Sequence, residues 1–157
     1  MQENDIRFPQ LNLPPASLRT DFSGEFPTIY CRLRQRMVAL TPEEWVRQNF
    51  VEMLVTRLGY PAGLMANEVS LRLNRLARRA DTVVYDRNGL PLMIIEYKAP
   101  SVALTRKVFE QIARYHMVLR AHYLVISNGI THYCCRLPST ESRQMEFLPA
   151  IPLYNNL

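Results

Sequence analysis

The chain has 157 residues, 48% of them hydrophobic and 21% charged. That is the make-up of one compact domain with a real core, which excludes a disordered polymer and a fibrous repeat. No apolar run approaches the roughly 18 residues needed to span a membrane, and MQENDIRFPQ lacks the regions of a signal peptide, so no membrane partner and a cytoplasmic location are expected. The net charge of +5 is carried almost wholly by arginine, since lysine stands only at positions 98 and 107; this suits a phosphate-bearing partner but equally suits a merely basic surface.

Residues 1–40 hold Pro9, Pro14, Pro15 and Pro27 and no helical period. They read as an extended arm with short strands at 26–31 and 35–40. TPEEWVRQNFVEMLVTRLGYP is the clearest helix. Thr41 is a natural N-cap, Pro42 suits the first turn, and Glu44 completes a capping box. Val46, Phe50, Met53, Leu54 and Leu58 recur at helical spacing, and Gly59 with Pro61 ends the run. Residues 64–73 alternate weakly as a strand, 79–86 are rich in β-branched residues, and 92–98 form the next strand. A second helix is expected over about 104–119, with Val108, Ile112, Tyr115 and Leu119 on its apolar side. HYLVIS (122–127) is a strand, Asn128-Gly129 a hairpin turn, and THYCCRL (131–137) returns. On that last strand Cys134 and Cys135 point to opposite faces and cannot jointly hold a metal; with Cys31 they read as ordinary reduced thiols. The predicted fold is α/β: an αβββαβ core in which helices flank a central mixed sheet. The division expected is an arm at 1–40, a domain at 41–137 and an extension at 138–157.

Asn88-Gly89 is the strongest two-residue hairpin signal in the chain. Taken as the turn, it pairs Arg87 with Leu90, Tyr85 with Leu92, Val83 with Ile94, Asp81 with Glu96 and Arg79 with Lys98. One face of the hairpin is then apolar near the turn and charged at the far end. Directly opposed side chains have Cβ atoms about 5 Å apart, so two carboxylates there must share a proton or bind a cation. A hard divalent ion held by oxygens is one solution, and a salt-bridged strand end is the other; the geometry leaves both open. A four-residue turn would set Asp81 diagonal to Glu96, still in reach of a shared ion. A slip of one residue would move Asp81 to the opposite face.

Asp81 followed by Glu96-Tyr97-Lys98 resembles the PD-(D/E)XK nuclease signature, and more narrowly the nuclease domain at the N-terminus of type I restriction enzyme R subunits. TPEEWVRQNFVEMLVTRLGYP, DTVVYDRNGLPLMIIEYKAPSV and FEQIARYHMVLRAHYLVISNG carry the resemblance, over about residues 35–137. The last contains a Q-x-x-x-Y motif, Gln111 to Tyr115. The fold implied is restriction-endonuclease-like, and the activity Mg²⁺- or Mn²⁺-dependent cleavage of DNA, as a restriction or defence endonuclease. Residue by residue, the resemblance makes Asp81, Glu96 and the Tyr97 carbonyl metal ligands. Lys98 would position the attacking water, and Gln111 and Tyr115, one helical turn apart, would brace the site. Glu44 matches the acid this family often carries on its first helix, though it also suits a helix cap. Ala80 stands where the motif name has proline. No motor motif follows in these 157 residues, which leaves open a stand-alone nuclease, a subunit working with a motor or specificity protein, or a homodimer.

Arg72, Arg75, Arg78 and Arg79 are candidate contacts to the DNA backbone, or else solvated loop charges. Glu52, two turns on from Glu44, could substitute for it but reads rather as a solvated helix residue, and Trp45 reads as core rather than a stacking platform. His116, His122 and His132 lack metal-ligand spacing and are expected at surface or edge positions. No G-x-S-x-G, P-loop or Cys-His arrangement is present. The alternative of another class is a nucleic-acid-binding module that keeps the fold without cutting.

Overall fold

The computed structural model describes residues 8–117, 119–139 and 144–157. Residues 1–7 of the expected arm, Val118 of the second helix and 140–143 of the extension lie outside them. Three short strands, β1 (Thr20–Asp21), β2 (Thr28–Cys31) and β3 (Arg36–Ala39), form a small antiparallel sheet. Then follow α1 (Pro42–Arg57), β4 (Met65–Leu73), β5 (Leu76–Tyr85), β6 (Pro91–Tyr97), α2 (Arg106–Met117), β7 (Tyr123–Ser127), β8 (His132–Arg136) and β9 (Glu146–Leu148). Strands β4 to β9 lie in sequence order in one sheet, with β6–β7 the parallel pair and the other neighbours antiparallel. This is the expected αβββαβ order on a mixed sheet, extended by β9. No helix among the described residues is long and apolar enough to cross a membrane.

The central strands are apolar on both faces because each face is covered. Val84, Met93, Ile95 and Val125 meet Val46, Phe50 and Leu54 of α1. Val83, Ile94, Leu124 and Ile126 meet Phe109 and Ala113 of α2. Cys134 and Cys135 fall in opposite clusters, and all three cysteines are free and buried. Tyr154, near the C-terminal end, is buried in the α1-side cluster and donates its hydroxyl to the Tyr85 carbonyl at 3.1 Å. The arm also packs: Asn12 N–H donates to the Gly129 carbonyl at 2.8 Å, and Trp45 Nε1–H to that of Pro9 at 3.3 Å. Trp45, expected in the core, is half-buried and stacks with Phe8 at 5.5 Å.

Thr41 caps α1 as expected, accepting the Glu44 N–H at 3.1 Å. The Glu44 carboxylate turns inward rather than back to the cap, so only half of the capping box forms. Helix α2 is rotated from expectation: Phe109, Ala113 and His116 are buried, while Tyr115 is 43% exposed. A small residue at 113 lets the helix sit close to the sheet on that stripe.

Both Asn-Gly turns are wider than two residues. Asp86 N–H donates to the Leu90 carbonyl, and Gly89, at φ 79°, closes the turn to the Asp86 carbonyl. The loop is therefore Arg87–Asn88–Gly89, a three-residue hairpin with its glycine left-handed. Tyr85 pairs with Pro91, not Leu92, and Arg87 does not pair with Leu90. A bulge then shifts the register, so that Val84 pairs with Met93, Val83 with Ile94 and Thr82 with Ile95. The extra loop residue and the bulge offset each other, restoring the expected register before the charged end. In β7–β8, Ser127 pairs with His132, leaving a loop of 128–131 in which Asn128 Oδ1 accepts the N–H groups of Ile130 and Thr131.

Candidate functional site: a carboxylate pair at the end of two buried strands

The β5–β6 ladder ends at Thr82–Ile95. Beyond it, Asp81 Oδ2 accepts the Tyr97 N–H at 2.9 Å, a side chain standing in for a ladder bond. Asp81 and Glu96 stand at the adjoining ends of β5 and β6, one step past the last ladder pair, and each perturbs the other's carboxyl. Burial, then the Glu96 carboxyl beside it, pushes Asp81 up to about 7. Glu96 is also raised, chiefly by burial. Two unit charges about 4 Å apart repel by about 4 kcal/mol at an effective dielectric near 20, which is of order three pKa units. One proton shared between the two acids removes that cost, and so does a cation.

Glu96 Oε1 lies 2.7 Å from His116 Nε2 on α2. His116 is only 1% exposed, so the expectation of a surface or edge position fails. Burial lowers its pKa to about 4, so the ring is neutral at pH 7. A neutral ring donating Nε2–H to an ionised Glu96 leaves Nδ1 bare, and Nδ1 has no partner among the described residues. His122 is exposed as expected. His132 is partly buried, its Nδ1 2.7 Å from Ser127 Oγ and its Nε2 2.9 Å from the Asn12 carbonyl.

Lys98 follows β6, its N–H held by the Ser127 carbonyl at 2.9 Å. Its ammonium makes no ion pair or hydrogen bond among the described residues, and its charge opposes the rise of the Glu96 carboxyl. The acids and Lys98 thus converge from the ends of two adjacent strands. On α2, the Tyr115 hydroxyl accepts the Arg79 N–H at 3.3 Å, and its ring lies under the Arg78 guanidinium at 4.7 Å and against the His116 ring at 4.7 Å. Gln111 is exposed and unbonded among the described residues. Arg72 and Arg75 are exposed near the β4–β5 turn. Arg78 Nε donates to the Tyr115 carbonyl, and Arg79 pairs with Glu68 at 3.2 Å.

Glu44 is buried, its Oε1 accepting from Gln48 Nε2 at 2.8 Å. Glu52, read as solvated, instead forms a two-bonded pair with Arg32 at 2.7 and 2.9 Å.

Sequence reasoning missed Arg47, Glu68 and His116. Arg47 is buried on α1, its guanidinium 5.8 Å from the centre of the Tyr97 ring. Glu68 takes φ 52° where β4 passes Asp81, the one break in an otherwise regular β4–β5 pairing. Burial raises its carboxyl, but the charges of Arg34, Arg47 and Arg79 outweigh this and hold it low. The legible signal was position. Arg47 shares a stripe with Val51 and Leu54, and His116 with Phe109 and Ala113; a charged or titratable residue on an apolar stripe is buried for a reason.

A divalent ion suits this donor set. Two carboxylates and a neighbouring backbone carbonyl are hard oxygen ligands, and Mg²⁺ is commonly held by one or two carboxylates with water and substrate phosphates completing the shell. Among the described residues, no group of three or more His, Cys, Asp or Glu side chains is placed to hold a metal ion. Residues 42–152 match the family described as Type I restriction enzyme R protein N terminus (HSDR_N). No curated protein matches the chain.

Proposed function

Because the chain belongs to the family of type I restriction enzyme R protein N termini, we propose that it is a restriction-type nuclease module that hydrolyses DNA phosphodiester bonds. The observation that carries this reading is the placement of two carboxylates at the adjoining ends of β5 and β6, Asp81 held by the Tyr97 N–H at 2.9 Å and Glu96 by His116 Nε2 at 2.7 Å, with Lys98 two residues past Glu96. Asp81, Glu96 and the Tyr97 carbonyl would hold Mg²⁺ or Mn²⁺. When bound, the ion supplies Lewis-acid polarisation of the phosphate and an acidified water.

The chain's own residues then do the rest. The Tyr97 N–H fixes the direction of Asp81, and His116 fixes Glu96 from the other side. Such outer hydrogen bonds orient ligands and keep them basic. Lys98 donates to the attacking water or a phosphate oxygen and offsets charge as it builds. Tyr115, through Arg78 and Arg79, braces the β4–β5 hairpin that carries Asp81. Gln111, Arg72 and Arg75 are free to meet the DNA strand, and contacts of that kind are salt-sensitive and largely blind to sequence. The family context supports work beside the motor or specificity subunits of a restriction complex.

One observation favours a second reading, a module that binds DNA without cutting: the described residues contain no three-ligand metal group. Plasmid DNA incubated with the protein and Mg²⁺ or Mn²⁺ separates the two. The nuclease reading expects cutting that requires the metal and is lost in Asp81→Ala and in Glu96→Ala. Retarded but uncut DNA would give the second reading.

A further inference from the structure

Arg47 is the most confined charge near the site. Its side chain is 7% exposed, and its Nε and Nη1 atoms have no hydrogen-bond partner among the described residues. Nη1 lies 3.6 Å from Glu44 Oε2 and 3.8 Å from Glu68 Oε1. A guanidinium stays charged at any working pH, and a buried one persists only beside compensating anions. Its nearest anions are Glu44 and Glu68, and Glu68 stands on β4 opposite Asp81. Glu44 is committed on both oxygens, one facing Gln48 Nε2 and the other facing Arg47.

We propose that Arg47 is a built-in counter-cation that, with Arg34 at 2.7 Å and Arg79 at 3.2 Å on Glu68, withdraws Glu44 and Glu68 from metal ligation and limits the Asp81–Glu96 site to a single divalent ion. The inference rests on the metal-site reading above. A second ion taken up by Glu44 would have to strip Glu44 from Gln48 and sit beside a fixed positive charge. Two-metal sites place their ions roughly 3.5–4 Å apart, and here a guanidinium already neutralises the acids on the α1 side. Arg47 is thus a positioning residue: it sets the charge left for the metal without touching substrate.

Counting bound Mn²⁺ on the full chain by isothermal titration, beside the spin-resonance signal of free Mn²⁺, tests this without any cleavage assay. Wild type should bind one Mn²⁺ per chain. Glu44→Gln should also bind one, with a Kd within about twofold of wild type. Arg47→Lys, which keeps the charge, should remain at one, and Arg47→Gln should take up a second. If Arg47→Gln fails to fold by circular dichroism, wild type and Glu44→Gln still decide. Two Mn²⁺ in wild type, a tenfold weaker Kd in Glu44→Gln, or a single Mn²⁺ in folded Arg47→Gln would overturn the inference while the metal site stands. No Mn²⁺ bound to wild type would remove the metal site itself.

Discussion

At the turn end of the β5–β6 hairpin, Asp86 ties up the backbone N–H groups of Asn88 and Leu90, and Leu90 stands 61% exposed. At the other end, Asp81 and Glu96 are partly buried, tied to Tyr97 and His116. The first end is satisfied by its own neighbours in sequence. The second draws on β6, α2 and, through Arg47, on α1. A local turn can change length at the cost of one bulge. A convergent site cannot slip by a residue without turning every side chain to the wrong face. The bulge after Val84 lets one hairpin obey both rules, because it absorbs the longer loop before the register reaches the acids.

The largest break in this contrast should come at the acids. Asp81→Asn and Glu96→Gln, each nearly isosteric, should cut metal-dependent plasmid cleavage by about 10³-fold or more, the scale of a lost metal-ion contribution. Lys98→Ala should follow, with cleavage reduced roughly 10²–10³-fold as for one lost donor to developing charge and an unchanged circular dichroism spectrum; full activity in that variant would remove its role. His116→Asn should lower cleavage or Mn²⁺ affinity by about 10–100-fold, the usual cost of an outer-shell partner. At the turn end, Gly89→Ala meets no nearby atom, and its φ of 79° is the only penalty. The expected cost is about 1 kcal/mol, seen as a Tm lower by about 2–4 °C with cleavage intact.

Acidity sharpens the same comparison. The Asp81 carboxyl is raised to about 7 in the fold from an ordinary value of 3.8, so the folded state holds the extra proton between those values. Its contribution is therefore full below about 4 and lost as pH climbs through 7. His116, lowered to about 4, acts in the opposite sense, its contribution lost as pH falls through 4. In chelator, the difference between the Tm of Asp81→Asn and that of wild type isolates the carboxyl. It should grow in favour of the variant from pH 5 to pH 7 and level off above. A flat difference would mean that Asp81 is ionised throughout.

The elements were legible because the chain states them locally. Thr41-Pro42 and Gly59 bracket α1, and unbroken apolar runs mark β6 and β7 as buried on both faces. The order αβββαβ and the meeting of Asp81 with Glu96 followed from those runs. What remained hidden depends on the third dimension. Asparagine side chains can cap a loop as well as make a tight turn, so Asn88-Gly89 and Asn128-Gly129 misreported the loop lengths. The α2 stripe was read through Tyr115 because tyrosine looks more apolar than histidine, yet His116 has the buried partner. Arg47 and Glu68 matter in part through each other, 21 residues apart, which no local pattern records.

The central claim is that the charged end of the hairpin is a divalent-metal site, and crystals soaked in Mn²⁺ test it most directly through anomalous scattering. The account predicts one anomalous peak in contact with the Asp81 and Glu96 carboxylates, absent from the Asp81→Asn protein. Crystals whose Mn²⁺ peaks all lie elsewhere, with Asp81 still bonded to the Tyr97 N–H and Glu96 to His116, would contradict it.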